Sequence, residues 1–197
     1  VNDVRLEKIE YGIGNDGANT MSLSLSTGLN KNGWAMSLLF AKRWGDGYIQ
    51  GTGYEAYDWF VNISKRISSK HQISLTAFGS PQRHNQRKPL YAGLSIEEWD
   101  KVAKWTGEKD KYRYNAIYGF DNNGKERSSM LNEYHKPQIS LNHQWQIDHK
   151  SSLSTALYVS IGRGSGYSGQ GRTSADRSMW NGSSNGKLLY NFRKSDG

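Results

Sequence analysis

The sequence predicts an all-β fold, an antiparallel meander forming part of a large transmembrane β-barrel, on three observations. Several ribbons alternate apolar and polar residues with a period of two, their polar side is almost uncharged, and the connections between them alternate short and long. A period of two places successive side chains on opposite faces of a sheet. A soluble antiparallel sheet normally carries charged residues such as Lys and Glu on its wet face. An apolar face towards lipid and an uncharged polar face towards a lumen fit a membrane barrel instead.

The pattern is clearest between Pro137 and Gly162. Ile139, Leu141, His143, Trp145 and Ile147 alternate with Gln138, Ser140, Asn142, Gln144 and Gln146. After a short polar turn, Leu153, Thr155, Leu157, Val159 and Ile161 alternate with Ser152, Ser154, Ala156, Tyr158 and Ser160. The formal charges of this stretch, Asp148 and Lys150, both fall in the turn. Leu141, Trp145, Leu157 and Val159 are therefore read as lipid-facing.

Earlier segments follow the same rule. Ile9, Tyr11 and Ile13 mark a short first strand that Asn15-Asp16-Gly17 closes as a tight turn. Met21, Leu23, Leu25 and Leu29 face away from Ser22, Ser24, Ser26 and Gly28, and Asn30-Lys31-Asn32-Gly33 turns the chain back. The third strand sets Trp34, Met36, Leu38 and Phe40 against Ala35, Ser37 and Ala41. The fourth sets Tyr57, Trp59, Val61 and Ile63 outward and Asp58, Phe60, Asn62 and Ser64 inward. Lys65 also falls outward, at a strand end where a lysine snorkels to the interface. Ser68 to His71 form a short turn, and Ile73, Leu75 and Ala77 continue outward on a fifth strand. Leu23, Leu25, Leu38, Phe40, Trp59, Val61 and Leu75 join the lipid-facing set.

Connection lengths separate the architectures. A soluble sandwich has no reason to alternate short and long, whereas an outer-membrane barrel has short periplasmic turns and long extracellular loops. The segments Gly45–Ala56, Ser80–His135 and Gly164–Gly197 are the expected extracellular loops. Within the second, Ser95-Ile96-Glu97-Glu98 forms a capping box that opens a short helix to about Trp105, with Ile96 and Trp99 on one side. Trp34 and Trp145 lie near turn ends, and Trp44, Tyr57 and Trp59 near loop ends, as two aromatic girdles require. About seven strands result. Bacterial single-chain barrels have an even number, so the odd count points to a piece of a longer protein. Residues 1–197 read as one partial barrel domain. Val1-Asn2-Asp3 at one end and a polar tail at the other agree with that reading.

The totals narrow the function classes. A net charge of +8 suggests an anionic partner such as a lipid surface or nucleic acid. Between Ser80 and His135, however, bases interleave with nearly as many acids, so a nucleic-acid groove is disfavoured. No apolar run approaches the ~20 residues of a membrane helix. Cysteine is absent, which removes disulfides, thiolate metal sites and thiol nucleophiles.

Catalysis is not expected. Gly164-Ser165-Gly166-Tyr167-Ser168-Gly169 matches a dinucleotide-binding pattern, but no apolar helical period follows it, and it reads as a flexible loop. His71, His84, His135, His143 and His149 show no i+2 or i+4 pair, so neither metal nor cofactor is assigned. Glu97, Glu98 and Asp100 read as a solvated helix face. The loop aromatics are the remaining candidates for contact with a small ligand: Tyr48, Tyr54, Trp99, Trp105, Tyr112 and Tyr114. Exposed rings stack on sugars, haem or chelates; the competing use is to pack the long loop into a compact body.

The stretches YGIGNDG, LSTGLNKNGW, RWGDGYIQGTGYEAYDWFVNISKR, HQISLTAFGSPQRHNQR and YHKPQISLNHQWQIDHKSSLSTALYVSIGRGSGYSGQG resemble the opening part of the barrel of a TonB-dependent outer-membrane receptor. The resemblance spans about residues 9 to 171. It implies residence in the outer membrane of a Gram-negative bacterium and a role in TonB-energised import of a scarce nutrient, such as an iron chelate, haem, vitamin or glycan. It also implies partners beyond this chain: outer-membrane lipid, a plug domain and the TonB complex. The chain itself shows no plug, TonB-contacting segment or C-terminal aromatic strand. A passive porin and a soluble β-sandwich that binds carbohydrate are the alternatives.

Overall fold

The computed structural model describes residues 5–87, 95–106, 110–115, 118–121, 125–128, 130–168 and 188–190. Among them one large antiparallel sheet dominates. Its long strands are β1 (Arg5–Ile13), β2 (Asn19–Thr27), β3 (Trp34–Gly45), β4 (Tyr54–Arg66) and β5 (His71–Gly79). Short β6 (Gln82–Asn85) follows, and later β9 (Met130–His135), β10 (Gln138–Gln146), β11 (Ser152–Ser160) and β12 (Arg163–Ser168). Between β6 and β9 lie α1 (Ile96–Thr106), β7 (Tyr118–Asp121) and β8 (Glu126–Ser128). A short β13 (Leu188–Tyr190) pairs in parallel with β7, which also pairs with β8.

The large sheet runs β1-β2-β3-β4-β5-β10-β11, with β6, β9 and β12 above it. The upper strands are continuations. Trp59 faces Gly79 and Tyr54 faces His84 in one unbroken register, although Pro81 interrupts the run of ladder hydrogen bonds. The same holds across Pro137, where β10 against β5 becomes β9 against β6, and across Gly162, where β11 becomes β12. Proline has no N–H for the ladder, so a bond is missing there while the chain runs on in register. The sheet is thus an open meander of seven long ribbons, as the sequence expects.

Several boundaries differ from that expectation. The first strand begins at Arg5 rather than Ile9. Tyr54 belongs to β4, not to the loop Gly45–Ala56. The ends of the segment Ser80–His135 are strand, and Gly164-Ser165-Gly166-Tyr167-Ser168, read as flexible loop, lies in β12 paired with β9. The reason is physical. Alternation of polarity records a difference between two environments, and it fades where both faces of a ribbon meet polar surroundings. The backbone ladder continues regardless. The remainder of Gly164–Gly197 (169–187 and 191–197) lies outside the described residues.

Tight turns set the short connections. Asp16 (φ 56) and Gly17 (φ 68) are both left-handed, the conformation that matches the twist of a two-residue hairpin. Gly14 N–H donates to Ala18 O at 2.7 Å. At Asn30–Gly33 the Asn30 carboxamide oxygen accepts from the backbone N–H groups of Asn32 and Trp34, each at 2.9 Å. Measured by cross-strand register, the turns after β2, β4 and β10 step by roughly one residue per strand. At ~3.4 Å along a strand and ~4.8 Å across, that stagger is a tilt of about 35°.

Candidate functional site

Cross-strand partners share a face, so the register builds the two surfaces directly. On one, Leu25, Leu38, Val61, Ala77, Ile139 and Val159 form a line across six ribbons. A parallel line joins Met36, Ile63, Leu75, Leu141 and Leu157. These side chains are not covered. Leu23, Phe40, Leu75, Leu141, Trp145, Leu157 and Val159 are exposed, and Leu25, Leu38, Trp59 and Val61 are half-buried. Phe40 is 52% and Leu157 66% accessible. Among the described residues no second layer packs on this face.

The opposite face carries Ser37, Asn62, Thr76, Ser140 and Tyr158 in register. Its groups bond one another: Asn62 Nδ2 donates to Thr76 Oγ1 at 2.8 Å, Asn142 Nδ2 to Ser140 Oγ at 3.1 Å, and Ser37 Oγ to Ser26 Oγ at 3.2 Å. Ser26, Ala35, Ala41 and Ser64 are buried here. One apolar island interrupts it, where Leu39, Phe60 and Phe78 stand in line.

Aromatic residues border the exposed apolar face at both ends. On the turn side are Trp34, with Lys65 Nζ 4.9 Å from its ring centroid, and Trp145, stacked on His71 at 5.5 Å. On the loop side, Lys42 Nζ lies 5.2 Å from Trp44 and 5.1 Å from Tyr57. Trp59 Nε1 donates to His135 Nε2 at 3.2 Å directly over Gly79. A Cβ at Gly79 would stand 2.5 Å from that imidazole nitrogen and 2.9 Å from the indole. Gly79→Ala is accordingly expected to break the Trp59–His135 bond and cost about 1–3 kcal/mol by overpacking. A change in the fluorescence of the half-buried Trp59 indole, compared with Gly53→Ala as a control where a Cβ meets only ordinary van der Waals contacts, checks it.

The structure also joins histidines that spacing along the chain does not. His71 and His143 lie on neighbouring strands, with parallel rings and Nδ1···Nε2 at 3.1 Å. The signal that finds them is strand register, because His71 pairs with Trp145 and His143 with Ile73. Among the described residues no group of three or more His, Asp or Glu is placed to hold a metal ion.

The loop side of the sheet carries a compact cluster. α1 opens with the expected capping box: Ser95 N–H donates to Glu98 Oε2 at 2.7 Å, and Glu98 N–H to Ser95 Oγ at 3.2 Å. Trp99 is buried against the edge of Tyr112 and beneath the Arg87 guanidinium, whereas Ile96 is exposed. Tyr114 is buried too, and Asn115 is only 1% accessible, its amide donating to Gln50 O at 2.9 Å. Of the proposed ligand contacts, Tyr48 and Tyr112 are exposed, Tyr54 is half-buried in β4, and Trp99 and Tyr114 are packed inside the cluster. The side chain of Trp105 lies outside the described residues.

One ion pair and one hydrogen bond clasp this cluster to the connections after β1 and β3. Arg113 Nη2 donates to Asp16 Oδ1 at 2.6 Å, and Tyr48 OH donates to Asp110 Oδ2 at 2.7 Å under the Arg113 guanidinium. The bond to Asp110 holds the Tyr48 hydroxyl above its ordinary ionisation range. A raised folded-state value means that the contact contributes fully below ~pH 10 and is lost as pH rises through the folded value. Alkaline titration followed by ultraviolet absorbance is expected to show Tyr48 ionising late. In Asp110→Asn that delay shrinks.

No family model, curated protein or solved structure matches the chain.

Proposed function

We propose that the chain is part of the barrel of a TonB-energised outer-membrane importer of a scarce nutrient. One observation carries the membrane part of this reading. A single-layer sheet presents an uncovered apolar surface, uncharged from β2 to β11 between two aromatic borders, with hydrogen-bonded Ser, Thr and Asn behind it; on the edge strand β1 the same face carries the Arg5–Glu7 ion pair. In water such a face would be a large aggregation liability. Facing acyl chains it is ordinary.

The dimensions support the same reading. Trp34 and Trp44 stand ~34 Å apart along β3, which a 35° tilt reduces to roughly 28 Å. Outer-membrane barrels carry an apolar band ~25 Å tall on strands tilted ~35–45°. Burial of the small residues on the polar face and exposure of the large ones on the other is the asymmetry of a curling sheet. The two open edges, β1 and β11, leave ladder groups that further strands of the same barrel would pair. Among the described residues, a sandwich lacks the second sheet it needs on this face. The TonB-dependent part of the proposal rests on the sequence resemblance.

Two measurements on the full-length protein in its own cells test the parts separately. Recovery in the outer-membrane fraction, with heat-modifiable electrophoretic mobility, is expected; recovery in the soluble fraction sinks the proposal. Accumulation of the right ligand, found by screening iron chelates, haem, vitamins and glycans, is expected to stop when the inner-membrane proton gradient is collapsed. A passive porin would keep admitting it.

A further inference from the structure

At the loop-side border of the apolar face the strands leave a groove of about 470 Å³. Glu55, Tyr57, Arg83, Glu133, His135 and Arg163 are among the residues that line it. Arg163 and His135 face each other in register on β12 and β9. An indole N–H only donates, so His135 Nε2 accepts from Trp59 and the imidazole proton sits on Nδ1. That leaves Nδ1–H as a second donor on the residue paired with Arg163.

Charge bookkeeping around the groove singles out Arg163. Glu55 is paired with Lys42 at 2.9 Å, and Glu133 with Arg83 at 3.8 Å. Among the described residues Arg163 has no acidic partner. Immediately below, Ala77, Ile139 and Val159 continue the same outward face as a smooth apolar strip. A cation and an imidazole N–H above an apolar strip complement an amphiphile with an anionic head. Small anions lack the tail, and neutral lipids lack the head.

We infer that this groove binds the phosphorylated headgroup of an outer-leaflet lipid, with Arg163 and His135 donating to phosphate oxygens and an acyl chain lying on Ala77, Ile139 and Val159. Charge-assisted hydrogen bonds of this kind are the strong class, and basic residues at the edge of an apolar belt are where lipid phosphates sit. The inference rests on the proposal that this face meets lipid.

The test uses the full-length protein in mild detergent, stripped of lipid and offered phosphorylated lipid A or the same lipid without its phosphates. Native mass spectrometry reads what stays bound. The wild type is expected to retain the phosphorylated form preferentially. Arg163→Gln is expected to weaken that retention about tenfold, and His135→Phe to weaken it less. Arg163→Lys is expected to recover part of the loss. Equal retention of the two lipids by the wild type, or unchanged retention in Arg163→Gln, overturns the inference. If the protein fractionates with the outer membrane yet shows no phosphate preference, only this inference fails. Recovery as a soluble protein removes the function proposal beneath it.

Discussion

Leu141→Arg is expected to destabilise the full-length protein in lipid vesicles by about 2–4 kcal/mol, while Ser140→Arg on the adjacent residue is nearly neutral. The two positions share a strand and differ only in face. Leu141 is 41% accessible in the line Met36, Ile63, Leu75, Leu141 and Leu157; Ser140 lies in the polar line with Asn62 and Thr76. A charge near the middle of the hydrocarbon layer loses its hydration, whereas one in a wet lumen keeps it. On a soluble module the ranking disappears, because a substitution at an exposed leucine usually stays within ~0.5 kcal/mol. Urea unfolding from vesicles, followed by tryptophan fluorescence, measures both variants. Equal effects at the two positions would count against lipid contact.

Gly51→Ala is expected to release the loop cluster at a cost of about 2–4 kcal/mol, without preventing membrane insertion. Gly51 has φ 65, a conformation that costs a residue with a Cβ about 1–2 kcal/mol. The added Cβ would also drive into the ring of Tyr118. That ring cannot readily yield, since it is buried and its hydroxyl donates to Glu126 at 2.7 Å. The adjoining residue, Gln50, holds the cluster through its N–H to Arg113 O at 2.8 Å and its carbonyl to buried Asn115. Limited trypsin digestion is the measurement. Faster cleavage between Gln86 and Met130, with heat-modifiable mobility intact, is the expected outcome; wild-type protection would show that the clasp does not depend on this glycine.

The two effects differ in kind. The first concerns the medium against the sheet, and the second concerns how the loop packs on the strand ends. The aromatic residues divide along the same line. Tyr48 and Tyr112 keep exposed surface, while Trp99 and Tyr114 are buried in the cluster's own core. A long connection built of short elements needs such a core to be ordered, and residue type alone does not reveal which ring fills it.

What the sequence determined by itself is the two-faced meander. Period-two alternation, uncharged polar positions and Asn/Gly turns each act over a few residues, so they are written locally and can be read locally. The capping box at Ser95 belongs to the same class. Only the tertiary structure decided what depends on register between distant segments. The strands beyond Pro81, Pro137 and Gly162 exist because a neighbouring ladder continues, not because their polarity alternates. Likewise His71 meets His143, Trp59 meets His135 over Gly79, and Arg113 meets Asp16. Backbone hydrogen bonding is indifferent to side-chain identity, so the alignment that brings these pairs together leaves little trace in the residues it joins.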